Sequence, residues 1–158
     1  MSRQVVFWES PIGLLTLAEQ GGSLTHLLFG RTEMPGARQE KTPLLAEACH
    51  QLDQYFLGER RGFDLPLSPQ GTAFQLKVWQ ALLTIPYGET RTYKDIAEIA
   101  GCPRGFRAVG MANHRNPISI IVPCHRVVGT GGGLTGYGGG LPAKRFLLEL
   151  EERNVASV

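Results

Sequence analysis

Between Pro66 and Pro69 the hydrophobic rhythm of this chain changes, and that change limits the folds open to it. Before it stand three short runs, RQVVFWE (3–9), LLTLAE (14–19) and LTHLLF (24–29), divided by the turn-forming stretches SPIG and QGGS. Their spacing predicts an antiparallel meander. Residues 31–41 are polar and without period, so a loop is expected there. A helix should follow, with Thr42 as N-cap, Pro43 at the first helical position and Gly58 as its stop. Leu44, Leu45, Ala48, Cys49, Leu52, Tyr55 and Phe56 recur at helical spacing and place Cys49 on the core face. RRGFDLPLSPQG then reads as a short strand and a linker.

Past the linker the period is helical. TAFQLKVWQALLTIP opens with the capping-box pair Thr72 and Gln75 and stops at Pro86, and TYKDIAEIAG repeats the device with Thr92 and Asp95 before Gly101. PRGFRAVGMAN is a third helical segment, joined to the second by little more than GCP. Two short helices across a tight, glycine-containing turn make either a helix-turn-helix or an ordinary αα-corner. A last helix from Pro142 carries Ala143, Phe146, Leu147 and Leu150 on one face. The expected fold is α+β: an antiparallel sheet with one helix over residues 1–68, then a mostly helical domain over 69–158.

Charge divides along the same line. Residues 1–70 hold six Lys/Arg against eight Asp/Glu, whereas residues 71–158 hold ten against six. A basic stretch from Arg91 to Arg126 suits a polyanion, or simply a solvated surface. No apolar run approaches the roughly 20 residues of a membrane span, and MSRQVVFWES lacks a secretory core. A cytoplasmic protein with no membrane partner is expected. Three cysteines cannot all pair, and none has C-x-x-C or zinc-site spacing. Free thiols in a reducing compartment are expected, with no metal and no cofactor; Cys49 and Cys102 read as small buried apolar residues.

The chemistry concentrates in IIVPCHRVVG (120–129), where a β-branched run, read as a buried strand, ends at Pro123 and Cys124, His125 and Arg126 follow. A thiol becomes a strong nucleophile as thiolate, and a histidine within reach, directly or through one water, can take its proton. Such a base needs a third group to orient it. The nearest acids are Glu149, Glu151 and Glu152. The stretch GTGGGLTGYGGG (129–140) lacks the G-K-[ST] of a phosphate loop and the strand-to-helix order of a dinucleotide fingerprint. It offers backbone N–H groups to a flat ligand, with Tyr137 to stack, or else is a flexible surface loop.

VPCHRV, preceded by RAVGMANHRNP and followed by GLTGYGGGLPAKRFLLELE, resembles the O6-alkylguanine-DNA alkyltransferase family over about residues 72–151. The resemblance implies a winged helix-turn-helix-like second domain and direct-reversal DNA repair. An alkylated guanine is flipped out of double-stranded DNA and its O6-alkyl group moves irreversibly, once per protein, to Cys124. It further implies His125 as base through a water, Glu151 as the third member of the relay, and Asn116 as brace of the cysteine turn. Tyr93 would face guanine N3, and Arg107 would fill the space left by the flipped base. Ala108, Gly110 and Ala112 would let the second helix approach the minor groove, where readout is degenerate. Val127, Tyr137, Gly138 and Ser119 would line the pocket, the carbonyls of Cys124 and Val127 accepting from the exocyclic amine. A monomer is expected in the absence of DNA.

This chain departs from the family's pattern at two places. Gly138 stands where many members carry serine, and Ser119 where some carry a second proline. Three other readings compete. A non-catalytic lesion sensor of the same family would lack the acceptor cysteine. A thiol hydrolase would give Arg107 no role, and a DNA-binding regulator would not need Cys124.

Overall fold

The structure, a computed structural model, describes residues 2–134 and 136–156. They form two compact units. The first runs to Gln70 and takes in Pro117–Ile121; the second comprises Gly71–Asn116 and the chain from Val122 onward.

In the first unit, β1 (Arg3–Ser10), β2 (Gly13–Gln20) and β3 (Ser23–Phe29) form the expected meander. Strand pairing runs from Arg3 opposite Gln20 to Ser10 opposite Gly13, then from Leu15 opposite Phe29 to Gln20 opposite Ser23. The second hairpin closes on Gly21 and Gly22 at φ 63° and 86°, the left-handed pair that a two-residue turn between twisted strands requires. A fourth strand, β4 (Arg38–Gln39), lies parallel to β1 inside the stretch expected as loop. Two exposed polar residues carry no alternation that could have announced it. Helix α1 (Pro43–Phe56) begins where predicted, Thr42 Oγ1 accepting from Leu45 N at 3.1 Å. It packs on the sheet through Leu45, Ala48, Leu52 and Tyr55, all fully buried, with Cys49 beside them. Each leucine so buried contributes about 1.5–3 kcal/mol relative to exposure.

The segment Pro117–Ile121 joins this unit through Leu27, whose N–H donates to the Pro117 carbonyl (2.9 Å) and whose carbonyl accepts from Ser119 N (3.0 Å). The strand expected to run to Pro123 is thereby corrected. Only Ile118 makes a bridge, and Ile120, a β-branched residue at φ 72°, turns the backbone. That left-handed conformation is strained for an isoleucine and breaks any ladder. The run looked like a strand because all of Ile118, Ile120, Ile121 and Val122 are buried, which burial alone produces without a sheet.

The second unit holds α2 (Ala73–Leu82), α3 (Tyr93–Ile99), α4 (Phe106–His114) and α5 (Leu141–Ala156). Both expected capping boxes are formed, Thr72 with Gln75 and Thr92 with Asp95. Trp79 of α2 donates its indole N–H to the Ala112 carbonyl of α4 at 2.9 Å and ties the two helices. Between α3 and α4 the chain turns at Gly101, φ 80°, giving the helix-turn-helix. Cys102 is half-buried there rather than a core residue. Two-residue strands β5 (Arg91–Thr92) and β6 (Val127–Val128) pair in parallel, a wing too short to register in a hydrophobic pattern. The buried face of α5 holds Ala143, Leu147 and Leu150 as expected, but Phe146 is half-exposed, and the charged Lys144 and Glu151 are buried in the same face. Among the described residues no helix is long and apolar enough to cross a membrane.

Candidate active site

Pro123 (φ −80°, ψ 64°) starts a single 3-10 turn over Cys124–Arg126. Such a turn sends three consecutive side chains in directions about a third of a revolution apart, so a thiol, an imidazole and a guanidinium can serve one site from adjacent positions. The turn is held by backbone bonds from Cys124 N to Val122 O (2.8 Å) and Arg126 N to Pro123 O (3.0 Å). Two asparagines brace it. Asn116 Nδ2 donates to the Val122 carbonyl at 2.8 Å, and Asn113 Nδ2 to the Cys124 carbonyl at 3.4 Å. Both are buried, as is Cys124 at 4% exposure.

Glu151 organises the rest. Its Oε2 accepts from His125 Nε2 (2.7 Å) and Arg126 NH2 (3.0 Å), and its Oε1 from Arg126 Nε (2.8 Å) and Gly88 N (3.1 Å). Four donors fill the four acceptor positions of an ionised carboxylate. Glu149 and Glu152 are exposed. Arg126 completes its fork on the Ile85 carbonyl at 2.7 Å and lies over the Tyr87 ring. Gly88 sits at φ 80°, and a side chain there would collide with Val155 at 2.3 Å, so the N–H that reaches Glu151 depends on glycine.

The electrostatics follow from this geometry. Burial opposes ionisation of Glu151, but hydrogen bonds and charge from His125 and then Arg126 outweigh it and hold the carboxyl well below the usual range. His125 is fully buried, and its proton affinity is lowered, foremost by burial. Glu151 pulls the other way, while Arg126 and Lys144 add to the lowering. The imidazole is therefore neutral near pH 7. Because the carboxylate can only accept, the ring proton sits on Nε2, and Nδ1 presents a lone pair. Among the described residues no group bonds Nδ1.

The remaining predicted residues are distributed as follows. Tyr93 opens α3, half-buried, and its ring lies 3.8 Å from where a side chain on Gly110 would start, which places it beside the middle of α4. Arg107 and Ala108 are exposed on the first turn of α4. Ala112 is corrected: at 3% exposure it belongs to the buried side of α4, leaving Ala108 and Gly110 as the small residues turned toward the surface. Tyr137 is buried, whereas Gly138 is exposed and a side chain there would meet nothing within 4 Å. Ser119 belongs to the first unit and is buried. Thr135, within the glycine-rich motif, lies outside the described residues. The Cys124 carbonyl accepts from Val127 N and, at 3.4 Å, from Asn113 Nδ2. Val127 O accepts from Lys144 Nζ at 2.6 Å and keeps one lone pair.

Sequence reasoning did not assign Asn113, Arg126 or Lys144. Asn113 stands three residues before Asn116, one helical turn away, and that spacing was its available signal. Nothing local marks Arg126 or Lys144 as interior, and only the tertiary structure shows them buried.

The family model described as 6-O-methylguanine DNA methyltransferase, DNA binding domain, matches residues 73–153, and the corresponding ribonuclease-like domain matches residues 6–69. The chain is 55% identical over 151 residues to a methylated-DNA--protein-cysteine methyltransferase of Methanosarcina barkeri, covering 93% of this chain and 96% of the relative. Its identity to the protein of that name from Mycobacterium tuberculosis is 54% over 147 residues, covering 91% and 89%. It is also similar to the crystal structure of Mycobacterium tuberculosis OGT in complex with DNA, with a TM-score of 0.90, 51% identity and coverage of 96% and 94%. The O6-methylguanine-DNA methyltransferase of the archaeon Pyrococcus kodakaraensis matches with a TM-score of 0.55 and 26% identity, over 94% and 98% of the two chains.

Proposed function

Because this chain belongs to the 6-O-methylguanine DNA methyltransferase family, we propose that it repairs DNA by moving the alkyl group of an O6-alkylguanine onto Cys124. The observation that carries the assignment is the orientation of His125, whose Nε2 is fixed on a saturated Glu151 carboxylate while Nδ1 keeps its lone pair. The thiol proton passes to Nδ1, directly or through one water. The Sγ electron pair forms the new S–C bond as the C–O6 bond breaks, and the electrons of that bond pass to the guanine. Guanine leaves as a neutral base after taking up a proton, which Tyr93 can deliver at N3; the tyrosinate then regains a proton from solvent and the imidazolium releases the thiol proton to solvent, so both side chains end as they began. Glu151 stabilises the transient imidazolium, and Arg126 keeps Glu151 ionised throughout.

The product is a thioether, which has no leaving group that water displaces readily, and each protein therefore acts once. A base stacked in duplex DNA cannot present O6 to a thiol, so the nucleotide is extruded, at a cost of a few kcal/mol. Arg107 and Ala108 lead α4 into the minor groove, Arg107 occupying the gap. Val127 O, with its remaining lone pair, accepts from the guanine amine, and Tyr137 and the Gly138 backbone line the pocket. The protein is monomeric without DNA and works in the cytoplasm.

The test is intact-protein and peptide mass spectrometry after mixing with a duplex carrying one O6-methylguanine. One added methylene on Cys124, saturating at one per protein, is expected. An unmodified protein that binds the lesion would make it a sensor instead. Arg107→Ala separates extrusion from chemistry. We expect transfer from duplex DNA to slow by about 10- to 100-fold, the equivalent of a few kcal/mol of unstacking left uncompensated, while Cys124 reacts with iodoacetamide at the wild-type rate. Equal rates on damaged duplex would end the role assigned to Arg107.

A further inference from the structure

Asn113 Oδ1 is a buried acceptor that no group bonds among the described residues, and the transfer chemistry makes no use of it. The residue is 4% exposed and lies in the last turn of α4. Its neighbour settles which end of the amide is oxygen. The Cys124 carbonyl can only accept, so Nδ2 faces it, at 3.4 Å. Trp79 holds the preceding carbonyl, that of Ala112, which fixes the backbone that carries the amide. A buried acceptor left without a donor is costly. In a site that takes in a ligand, the ligand can bring the donor.

The place of Asn113 says which donor. It stands three residues after Gly110, about 4.5 Å along the same side of α4. The Tyr93 ring lies 3.8 Å from where a side chain on Gly110 would start. Passing along α4, Tyr93 comes first and Asn113 next, with the turn that carries Cys124 bonded to it. The edge of guanine has the same order: N3, then the exocyclic amine on C2, then N1, then O6. A base with N3 at Tyr93 and O6 at Cys124 brings its amine to the level of Asn113.

We propose that Asn113 is a specificity-determining residue of the pocket: its Oδ1 accepts one N–H of the guanine exocyclic amine. The inference rests on the proposed repair of O6-alkylguanine and deepens it. The amine has two N–H groups, of which Val127 O takes one and Asn113 Oδ1 the other. A base without the amine leaves Oδ1 buried and unbonded, and a site built to receive a donor rejects the analogue that lacks it. Asn113 thereby selects the base, whatever alkyl group it carries.

The test is single-turnover transfer from two duplexes of one sequence. One carries O6-methylguanine and the other O6-methylhypoxanthine, which lacks only the amine. Wild type is expected to react faster with the first. Asn113→Leu, of similar volume and with neither polar end, should shrink that preference by about 10-fold. Leucine also loses the bond to the Cys124 carbonyl, but that slows both substrates alike and cancels in the ratio. A residue that merely braced the turn would lower both rates and leave the ratio unmoved. Asn113→Ala gives the same reading should leucine not be accommodated. An unchanged ratio in a variant with wild-type near-ultraviolet circular dichroism would overturn the proposal, and so would equal wild-type rates on the two duplexes. Wild type that takes a methyl group from neither duplex would end the repair reading itself, whereas transfer indifferent to the amine ends only the role of Asn113.

Discussion

Replacing Cys124 with alanine is expected to abolish alkyl transfer to the protein completely while leaving the fold and lesion binding in place. The sulfur is small, and backbone groups, Asn113 and Asn116 supply bonds that hold the 3-10 turn. Losing it should cost about 1 kcal/mol of packing. The reaction has no substitute for it. Cys49 is buried in the first unit with its thiol pushed up by burial, and Cys102 is half-buried by the α3–α4 turn. Intact mass after incubation with O6-methylguanine duplex should show no adduct at any ratio, and gel-shift titration should still detect the complex. A methyl group on Cys49 or Cys102 would mean that the acceptor has been misassigned.

The second large effect belongs to Glu151→Gln. The carboxylate takes four hydrogen bonds, and an amide cannot accept on its nitrogen side, so Arg126 loses its bidentate partner inside the protein. Breaking one side of a buried ion pair typically costs about 3–5 kcal/mol, and urea denaturation should register a loss of that order. Transfer should slow by about 100-fold or more, because His125 loses both its orientation and the charge that stabilises it when protonated. Acid stability provides an independent reading. His125 has a folded pKa below its unfolded value of about 6.5. Its contribution is present above that value and is lost as the pH falls through the folded one. Glu151 is likewise depressed, from about 4.5, and its contribution disappears at still lower pH. Wild-type stability should therefore decline from pH 7 downward, half-buried His26 adding in the same sense. In Glu151→Gln the decline below about pH 4.5 should flatten. A denaturation midpoint that holds constant from pH 7 to 5 in the wild type would contradict the neutral, buried imidazole.

Much of this was legible in the chain because it was written locally. Thr42, Thr72 and Thr92 each announce a helix through bonds that span three residues, and each does so in the structure. The meander was readable for the same reason, its turns lying within two residues of the strands they join. What escaped depends on distant partners. β4 and the β5–β6 wing exist because of the strands beside them, not because of their own two residues. Arg126 and Lys144 carry the most polar side chains available, and no local pattern reveals that Glu151, Ile85 and Val127 wait for them in the interior. The isoleucine run misled for the converse reason. Apolar composition reports burial, and burial there coincides with a positive φ rather than a strand.

The path of residues 117–121 has a consequence for how the protein is made. Leu27 bonds to Pro117 and Ser119, so the first unit lacks one of its pieces until residue 121 has left the ribosome, when most of the chain is already synthesised. Vectorial folding, N-terminal domain first, is the common order for a two-unit chain. Here it can be completed only late, through a closure between residues some 90 positions apart in sequence. The five residues that close it end one position before Val122, whose carbonyl Asn116 holds. Completion of the oldest part of the nascent chain and shaping of the cysteine turn thus fall at the same moment in biosynthesis.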